Sequence, residues 1–358
     1  MSTSDIPNRP TVSTEKLMHW PLEKLREIHL ELGQQCNVRC SMCYQTDFSP
    51  ATKLPDIVWK ERLRLAYPMA ERLTLQGGEP TILSNCRELL EMMLREYPHM
   101  KLLTVTNGIL FNGLWEEAFL QQGAFLNFSL DAIHPDLYRK IVQFGRQDKV
   151  VENIDRVVAK KRRLGSPLTI RISSVVLKET VEELPVFVQW AVDHGLDQVL
   201  FEVDPILSLR HSDTVFVQQR IAEAYGVADR NPQIKLIGLD DFDWLYSMKY
   251  KLTPIRTRQA FTVEKKPCPV AFNTLFVDYR GIARPCCKSW FPFGNLVEET
   301  LQEVWNSKNA FLFRRRMLND DFRDCMVACH LNTRPIDART ATVRKAYWLF
   351  RRDPKAAA

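Results

Sequence analysis

Between residues 27 and 227 the sequence switches repeatedly between short apolar runs and longer amphipathic helical stretches. Strand patterns fall at residues 27–32, 72–75, 101–105, 125–130, 168–177 and 198–203. Helical patterns fall at 56–66, 87–96, 114–121, 135–142, 149–164, 181–194 and 215–227. Strands separated by a helix-length crossover pair in parallel, and right-handed crossovers repeated in order curl a sheet into a full or partial barrel. The fold expected is α/β: a partial (β/α)6 TIM-like barrel, with functional residues where strands end and loops begin. The alternation stops near residue 235, before a segment rich in Cys, Pro and aromatics with a hairpin signal at Asp278-Tyr279-Arg280-Gly281. This divides the chain into a lead-in (1–25), the barrel (26–235), a cysteine-rich α+β extension (236–335) and a terminal helix and tail (336–358), the boundary falling between 235 and 260.

The amino terminus lacks the basic-then-apolar order of a secretory signal, and no run approaches the roughly 18 apolar residues of a membrane span. A cytoplasmic protein with no membrane partner is expected. In such a reducing compartment nine cysteines point to metal or redox chemistry and not to a disulfide framework. The net charge of +6 is mild. Its densest basic run, Arg314-Arg315-Arg316, lies on a predicted helix without interleaved aromatics, and reads as a solvated face and not as a nucleic-acid site.

The stretch Cys36-Asn37-Val38-Arg39-Cys40-Ser41-Met42-Cys43 follows directly on the first predicted strand. Three thiolates on one tight loop can grip three irons of a cubane and leave the fourth iron open, as a catalytic site requires. A zinc site wants a fourth Cys or His at short spacing. The next cysteine is Cys86, 43 residues on, so the spacing favours a cluster over zinc. Cys86 itself opens a predicted helix and reads as a packed core thiol.

A CxxxCxxC loop after the first strand of a barrel resembles the signature of the radical S-adenosylmethionine (SAM) superfamily. The resemblance implies that Cys36, Cys40 and Cys43 hold a [4Fe–4S] cluster whose open iron chelates SAM. Reductive cleavage then releases a 5′-deoxyadenosyl radical, with the electron coming from a donor such as flavodoxin or ferredoxin. One departure is Met42, where the family usually has an aromatic residue against the adenine; a polarizable apolar side chain suits the same surface. Leu75-Gln76-Gly77-Gly78-Glu79-Pro80 ends the second strand, where the family's GGE element binds the methionine ammonium of SAM. Glycines admit a close backbone approach and a carboxylate complements an ammonium. In the same strand order, Asn107, Ser129, Arg171 and Ser173 are implied as cofactor contacts, and Glu202 and Asp204 as substrate contacts or a general base. For each, the bland alternative is a strand-end polar residue satisfying loop backbone.

The segment holding Cys268, the hairpin, Cys286-Cys287, Gly294-Asn295-Leu296 and Cys325-x3-Cys329-His330 resembles the SPASM or twitch extension of that superfamily, which carries auxiliary iron–sulfur clusters. The cysteine count allows one auxiliary [4Fe–4S] cluster, on Cys268, one of Cys286 and Cys287, Cys325 and Cys329. A structural zinc on those residues, or a His330 ligand, stays open. The resemblance favours Cys287 as the ligand, leaving Cys286 as a buried spare thiol or a hydrogen-atom donor to a substrate radical. Relatives of this kind oxidise, epimerise or rearrange small molecules, or modify peptides. Peptide-modifying members often carry a domain ahead of the barrel, whereas about 27 residues precede the first strand here, tilting the expectation toward a small molecule. A peptide substrate is the alternative, and a non-catalytic iron–sulfur electron carrier a more distant one.

Overall fold

The computed structural model describes residues 14–45, 47–204, 206–256, 268–319 and 321–325. Its strands are β1 (Glu27–Glu31), β2 (Arg39–Cys40), β3 (Arg72–Gln76), β4 (Lys101–Thr106), β5 (Gly123–Ser129) and β6 (Val142–Gln143). They continue with β7 (Thr169–Val175), β8 (Gln198–Glu202), β9 (Lys235–Ile237), β10 (Thr274–Val277), β11 (Ile282–Arg284) and β12 (Gly294–Asn295). Ten of them form one open sheet in the order β12-β11-β10-β1-β3-β4-β5-β7-β8-β9, and β2 pairs with β6 in a separate ladder. From β10 to β9 every neighbour is parallel; only β11 and β12 run antiparallel. This is the expected partial barrel.

Alternation along the strands divides the sheet into a dry and a wet face. Ile28 and Leu30, Leu73 and Leu75, Leu126 and Phe128, Ile170 and Ile172, and Val199 and Phe201 are buried under the helices. Each such side chain contributes about 1.5–3 kcal/mol through burial. The covering helix Gln147–Leu164 shows the logic locally: Val150, Ile154, Val157 and Val158 recur at helical spacing and are all buried. It ends at Gly165 with φ +62°, the left-handed cap that glycine adopts without strain. The opposite, inner face carries Glu27, His29, Arg72, Asn127, Arg171 and Ser173, polar residues that a closed core would not tolerate.

The structure departs from the sequence reading at identifiable places. The predicted helix 56–66 splits into Asp56–Lys60 and a 3-10 turn, Arg62–Leu65. The alternation does not stop at 235, because β9 pairs with β8 and a further helix, Leu239–Tyr250, follows it. The cysteine-rich extension shares the barrel's sheet. β10 continues the barrel sheet beside β1, in register Glu27–Thr274 through Leu30–Val277. The hairpin turn is held by Asp278, which accepts N–H bonds from Arg280 and Ile282 and pairs with the guanidinium groups of Arg280 and Arg284. Trp20 of the lead-in donates to the Phe272 carbonyl at 2.8 Å, and Trp305 donates to the Pro21 carbonyl at 3.3 Å, tying the lead-in to the extension. Among the described residues no helix is long and apolar enough to cross a membrane. The terminal segment 336–358, with its predicted helix, lies outside the described residues.

Candidate active site at the carboxyl edge of the sheet

The loop leaving β1 is held by backbone hydrogen bonds. Within it β2 pairs antiparallel with β6, Arg39 opposite Gln143 and Cys40 opposite Val142. Ser41 N–H donates to the Ile141 carbonyl at 2.9 Å, and Cys43 N–H to the Cys40 carbonyl at 3.0 Å. The Arg39 guanidinium gathers the carbonyls of Cys36 and Val38 at 2.7 and 2.8 Å and lies over the Phe48 ring. Cys36 and Cys40 are half-buried and Cys43 is exposed. Burial pushes all three thiols up; Cys43 pushes Cys36 and Cys40 up further, and Cys36 adds to the shift at Cys40. Arg39 acts the other way on Cys36 and Cys43, favouring thiolate. Among the described residues no three His, Cys, Asp or Glu side chains converge on a point for a single metal ion.

Gly77 and Gly78 pack straight onto this loop. Gly78 N–H donates to the Gly33 carbonyl at 2.8 Å and Glu79 N–H to the Gln35 carbonyl at 2.9 Å. A Cβ at Gly78 would lie 2.0 Å from the Gln35 carbonyl oxygen. Both partners are backbone, so the clash has no flexible end to absorb it. Gly78→Ala is therefore expected to cost about 3 kcal/mol or to prevent folding, which a thermal melt of the iron-free chain will show.

Glu79 is only 1% exposed. Its Oε1 accepts from Thr81 N–H at 3.1 Å, Thr81 Oγ1 at 2.6 Å and Thr106 Oγ1 at 2.7 Å, and its Oε2 from Asn107 N–H at 2.7 Å. Asn107 carries the link back: its Nδ2 donates to Asn37 Oδ1 at 2.7 Å and stands 4.0 Å from Cys36 Sγ. Burial is the main influence on the carboxyl, pushing its pKa up, and no Lys or Arg among the described residues pairs with it. The chain thus holds a buried, hydrogen-bonded carboxylate without a cation, beside the cysteine loop.

On the inner face Arg171 Nε donates to Asn127 Oδ1 at 2.7 Å, and Asn127 Nδ2 to Ser173 Oγ at 2.8 Å. Ser129 stands opposite Ser173 in the β5–β7 register. Burial draws the Arg171 guanidinium down to about 10, a shift that the Glu202 carboxylate opposes. Glu202 is exposed at the end of β8. Asp204 has a structural task instead: its Oδ1 accepts the N–H groups of Ile206 and Leu207 at 2.7 and 3.1 Å, closing a turn. Met42 is half-buried against the core. Arg39, as loop clamp, escaped the sequence reading; Asn127 and Asp131 belong to the strand-four stretch Asn127–Asp131 that the resemblance marks for cofactor contact, and Asn127 is the bridge just described. Asp131 has φ +61° and is buried; its Oδ1 accepts Val175 N–H at 3.2 Å. Burial pushes it up to about 7, with Glu202 adding to the shift, and its charge is felt at Cys40 and Cys43.

The second cysteine group assembles at the opposite edge. β11 runs antiparallel to β10, with Arg284 level with Phe276 and therefore with His29. Residues following Arg284 thus return toward the amino ends of the parallel strands, where Cys268 also lies, just before the helix Val270–Asn273 that leads into β10. Burial pushes the half-buried Cys286 thiol far up, and Cys287, Cys268 and Cys325 add to the shift. Ser289 bridges to Cys325 and donates to the Asp324 carbonyl at 3.1 Å. Cys287 is exposed. The sequence reading takes Cys287 as the ligand and Cys286 as spare; Cys286 is the less exposed of the two and has Cys268 and Cys325 as electrostatic neighbours. Adjacent side chains on an extended segment diverge, which separates the pair. Cys329 and His330 lie outside the described residues. Cys86 is fully buried, as a packed thiol should be.

The profile of the radical SAM superfamily matches residues 30–191, and that of the SPASM iron–sulfur cluster-binding domain matches 268–330. Curated relatives include GTP 3′,8-cyclases from Sinorhizobium medicae, 29% identical over 187 residues, and Rhodopseudomonas palustris, 30% identical over 190. Each alignment covers 50% of this chain, and 52% and 53% of those proteins, so the chain spans about half the length of the curated relatives it matches. Among solved structures, Streptococcus suis SuiB bound to precursor peptide SuiA superposes with a TM-score of 0.61 at 16% identity, covering 88% of this chain and 73% of that one. Native anSMEcpe with bound AdoMet and Cp18Cys peptide gives 0.57 at 15% identity, covering 91% and 97%. At these identities the two structures show a shared fold. The chain belongs to the radical SAM superfamily, in its SPASM subgroup, whose two domains imply a SAM-binding [4Fe–4S] cluster and an auxiliary iron–sulfur cluster.

Proposed function

We propose that Cys36, Cys40 and Cys43 hold the SAM-binding cluster, that Cys268, Cys286, Cys325 and Cys329 hold the auxiliary one, and that the enzyme abstracts hydrogen from a polar small molecule in order to oxidise, epimerise or rearrange it. When bound, the first cluster supplies the electron that cleaves SAM to a 5′-deoxyadenosyl radical, replenished by a carrier such as flavodoxin or ferredoxin. The protein's part is to bind and orient. The observation that carries the reading is Glu79: a buried carboxylate without a cation, wired through Asn107 to Cys36, suits the cofactor's ammonium. Its Oε2 accepts a single N–H and has a lone pair left for that group. Asn107, Ser129 and Ser173 offer polar contacts to the rest of the cofactor, with Met42 against its adenine. Arg171 and Glu202, on the polar inner face, are the charged pair proposed to meet substrate. Asp204, committed to its turn, is not.

Glu79→Gln replaces an acceptor by a donor facing Asn107 N–H or the threonine hydroxyls. Cofactor affinity is expected to fall roughly ten- to hundredfold, with about 1–3 kcal/mol of stability lost as well. Equilibrium binding of SAM to the reconstituted protein checks this, and an unchanged dissociation constant removes Glu79 from the role. The substrate class is tested by 5′-deoxyadenosine formation from SAM and dithionite, supplemented with a small-metabolite extract. Stimulation that survives peptidase digestion of the extract supports a small molecule. Stimulation lost on digestion favours a peptide, the substrate class seen in the SuiB and anSMEcpe complexes.

A further inference from the structure

The run Arg314-Arg315-Arg316 is not a surface patch. Arg314 is 0% exposed. Its Nε donates to the Ala271 carbonyl at 3.1 Å and its Nη1 to the Trp305 carbonyl at 2.8 Å, while Nη2 is buried without a hydrogen-bond partner. The guanidinium carbon lies 4.3 Å from the centre of the Trp305 ring and 5.7 Å from that of Phe293. No carboxylate among the described residues pairs with it; burial is the only influence on it, drawing it down to about 9. Two residues on, Arg316 pairs with Asp324, the neighbour of Cys325, and lies over the Phe291 ring at 5.1 Å.

These contacts have a common address. Ala271 follows Cys268 by three residues, Phe291 and Phe293 follow Cys286, and Asp324 precedes Cys325. One helix, Lys308–Leu318, therefore sends two arginines onto all three described segments that carry auxiliary-cluster cysteines. Arg316 has its countercharge in Asp324; Arg314 has none among the described residues. A buried cation is stable only when something nearby offsets it. Four thiolates around a [4Fe–4S]2+ core make a net dianion, which becomes a trianion on one-electron reduction.

We propose that Arg314 is the fixed countercharge of the auxiliary cluster, setting its reduction potential, and that Arg316 positions the Cys325 segment through Asp324. This rests on the assignment of an iron–sulfur cluster to the extension. Positive charge beside the cluster favours the more negative, reduced form, so Arg314 raises the potential and fits the cluster to accept an electron.

The test is an EPR-monitored redox titration of the fully reconstituted protein in wild-type, Arg314→Met, Arg314→Lys and Arg316→Gln forms. Arg314→Met is expected to move the auxiliary potential to a more negative value at unchanged iron content, with the SAM-binding cluster's potential unmoved. Arg314→Lys keeps the charge without the paired hydrogen bonds and is expected to restore most of the shift. Arg316→Gln is expected to lower auxiliary iron content and leave the potential of the cluster that remains. If Arg314→Met shifts only thermal stability, its role is structural and the proposal fails. Should Arg314→Met fail to fold, the lysine form decides: a potential displaced as far as that of a charge-free site counts against the idea. A wild-type protein that binds zinc in the extension overturns instead the assignment on which the proposal stands.

Discussion

Replacing Cys36, Cys40 and Cys43 together by Ala is expected to reduce 5′-deoxyadenosine formation from SAM and dithionite to background. The loop should survive the change. Its shape is held by the β2–β6 ladder and by Arg39 on the carbonyls of Cys36 and Val38, none of which involves a thiol. Cys43 is exposed and the other two are half-buried, so alanine leaves no large cavity. About four of the roughly eight irons per chain should be lost and four retained, since the second cysteine group lies at the other edge of the sheet. Cleavage persisting at the wild-type rate would sink the central assignment. Loss of all the iron would show that the two groups assemble together.

Much of this site was legible before any coordinates, because motif chemistry and strand periodicity are local. The three-cysteine loop, the glycine pair with Glu79, and the succession of parallel strands each follow from contiguous residues. What stayed hidden depends on packing between distant segments. Gly77 and Gly78 read as room for a ligand, yet the atoms their missing side chains admit are the carbonyls of Gly33, Gln34 and Gln35. Arg314 read as one residue of a solvated run, because nothing in its neighbours reveals that Ala271 and Trp305 close over it. β9 is only three residues long, too short for periodicity to register, so the alternation was taken to end at 235. The union of the extension with the barrel rests on β10 pairing with β1 across more than 240 residues, which no local pattern encodes.

The choice between the adjacent cysteines gives the other large effect. Cys286→Ala is expected to lower iron from about eight to about four per chain, whereas Cys287→Ala leaves it near eight. Consecutive side chains diverge, so one thiol at most faces the cluster, and the buried one has Cys268 and Cys325 as neighbours. The loss should also cost stability, because the cluster ties three segments separated by 18 and 39 residues, and metal binding is coupled to folding. A lower melting temperature for Cys286→Ala than for Cys287→Ala is the independent sign. The same placement weighs against the expectation of Cys286 as a hydrogen-atom donor. From Glu27 to Glu31 β1 rises roughly 13 Å, with the Cys36 loop at one end and the Cys286 segment at the other. A thiol at the far end is expected to lie too far from the Cys36 loop to donate to a radical formed there. Product made in deuterium oxide by Cys287→Ala should therefore carry the same deuterium as product made by the wild type. Iron lost from Cys287→Ala and retained in Cys286→Ala would return the ligand to Cys287. About four irons and one zinc in the wild type would make the second site structural, and its cysteines would then have no electron to accept.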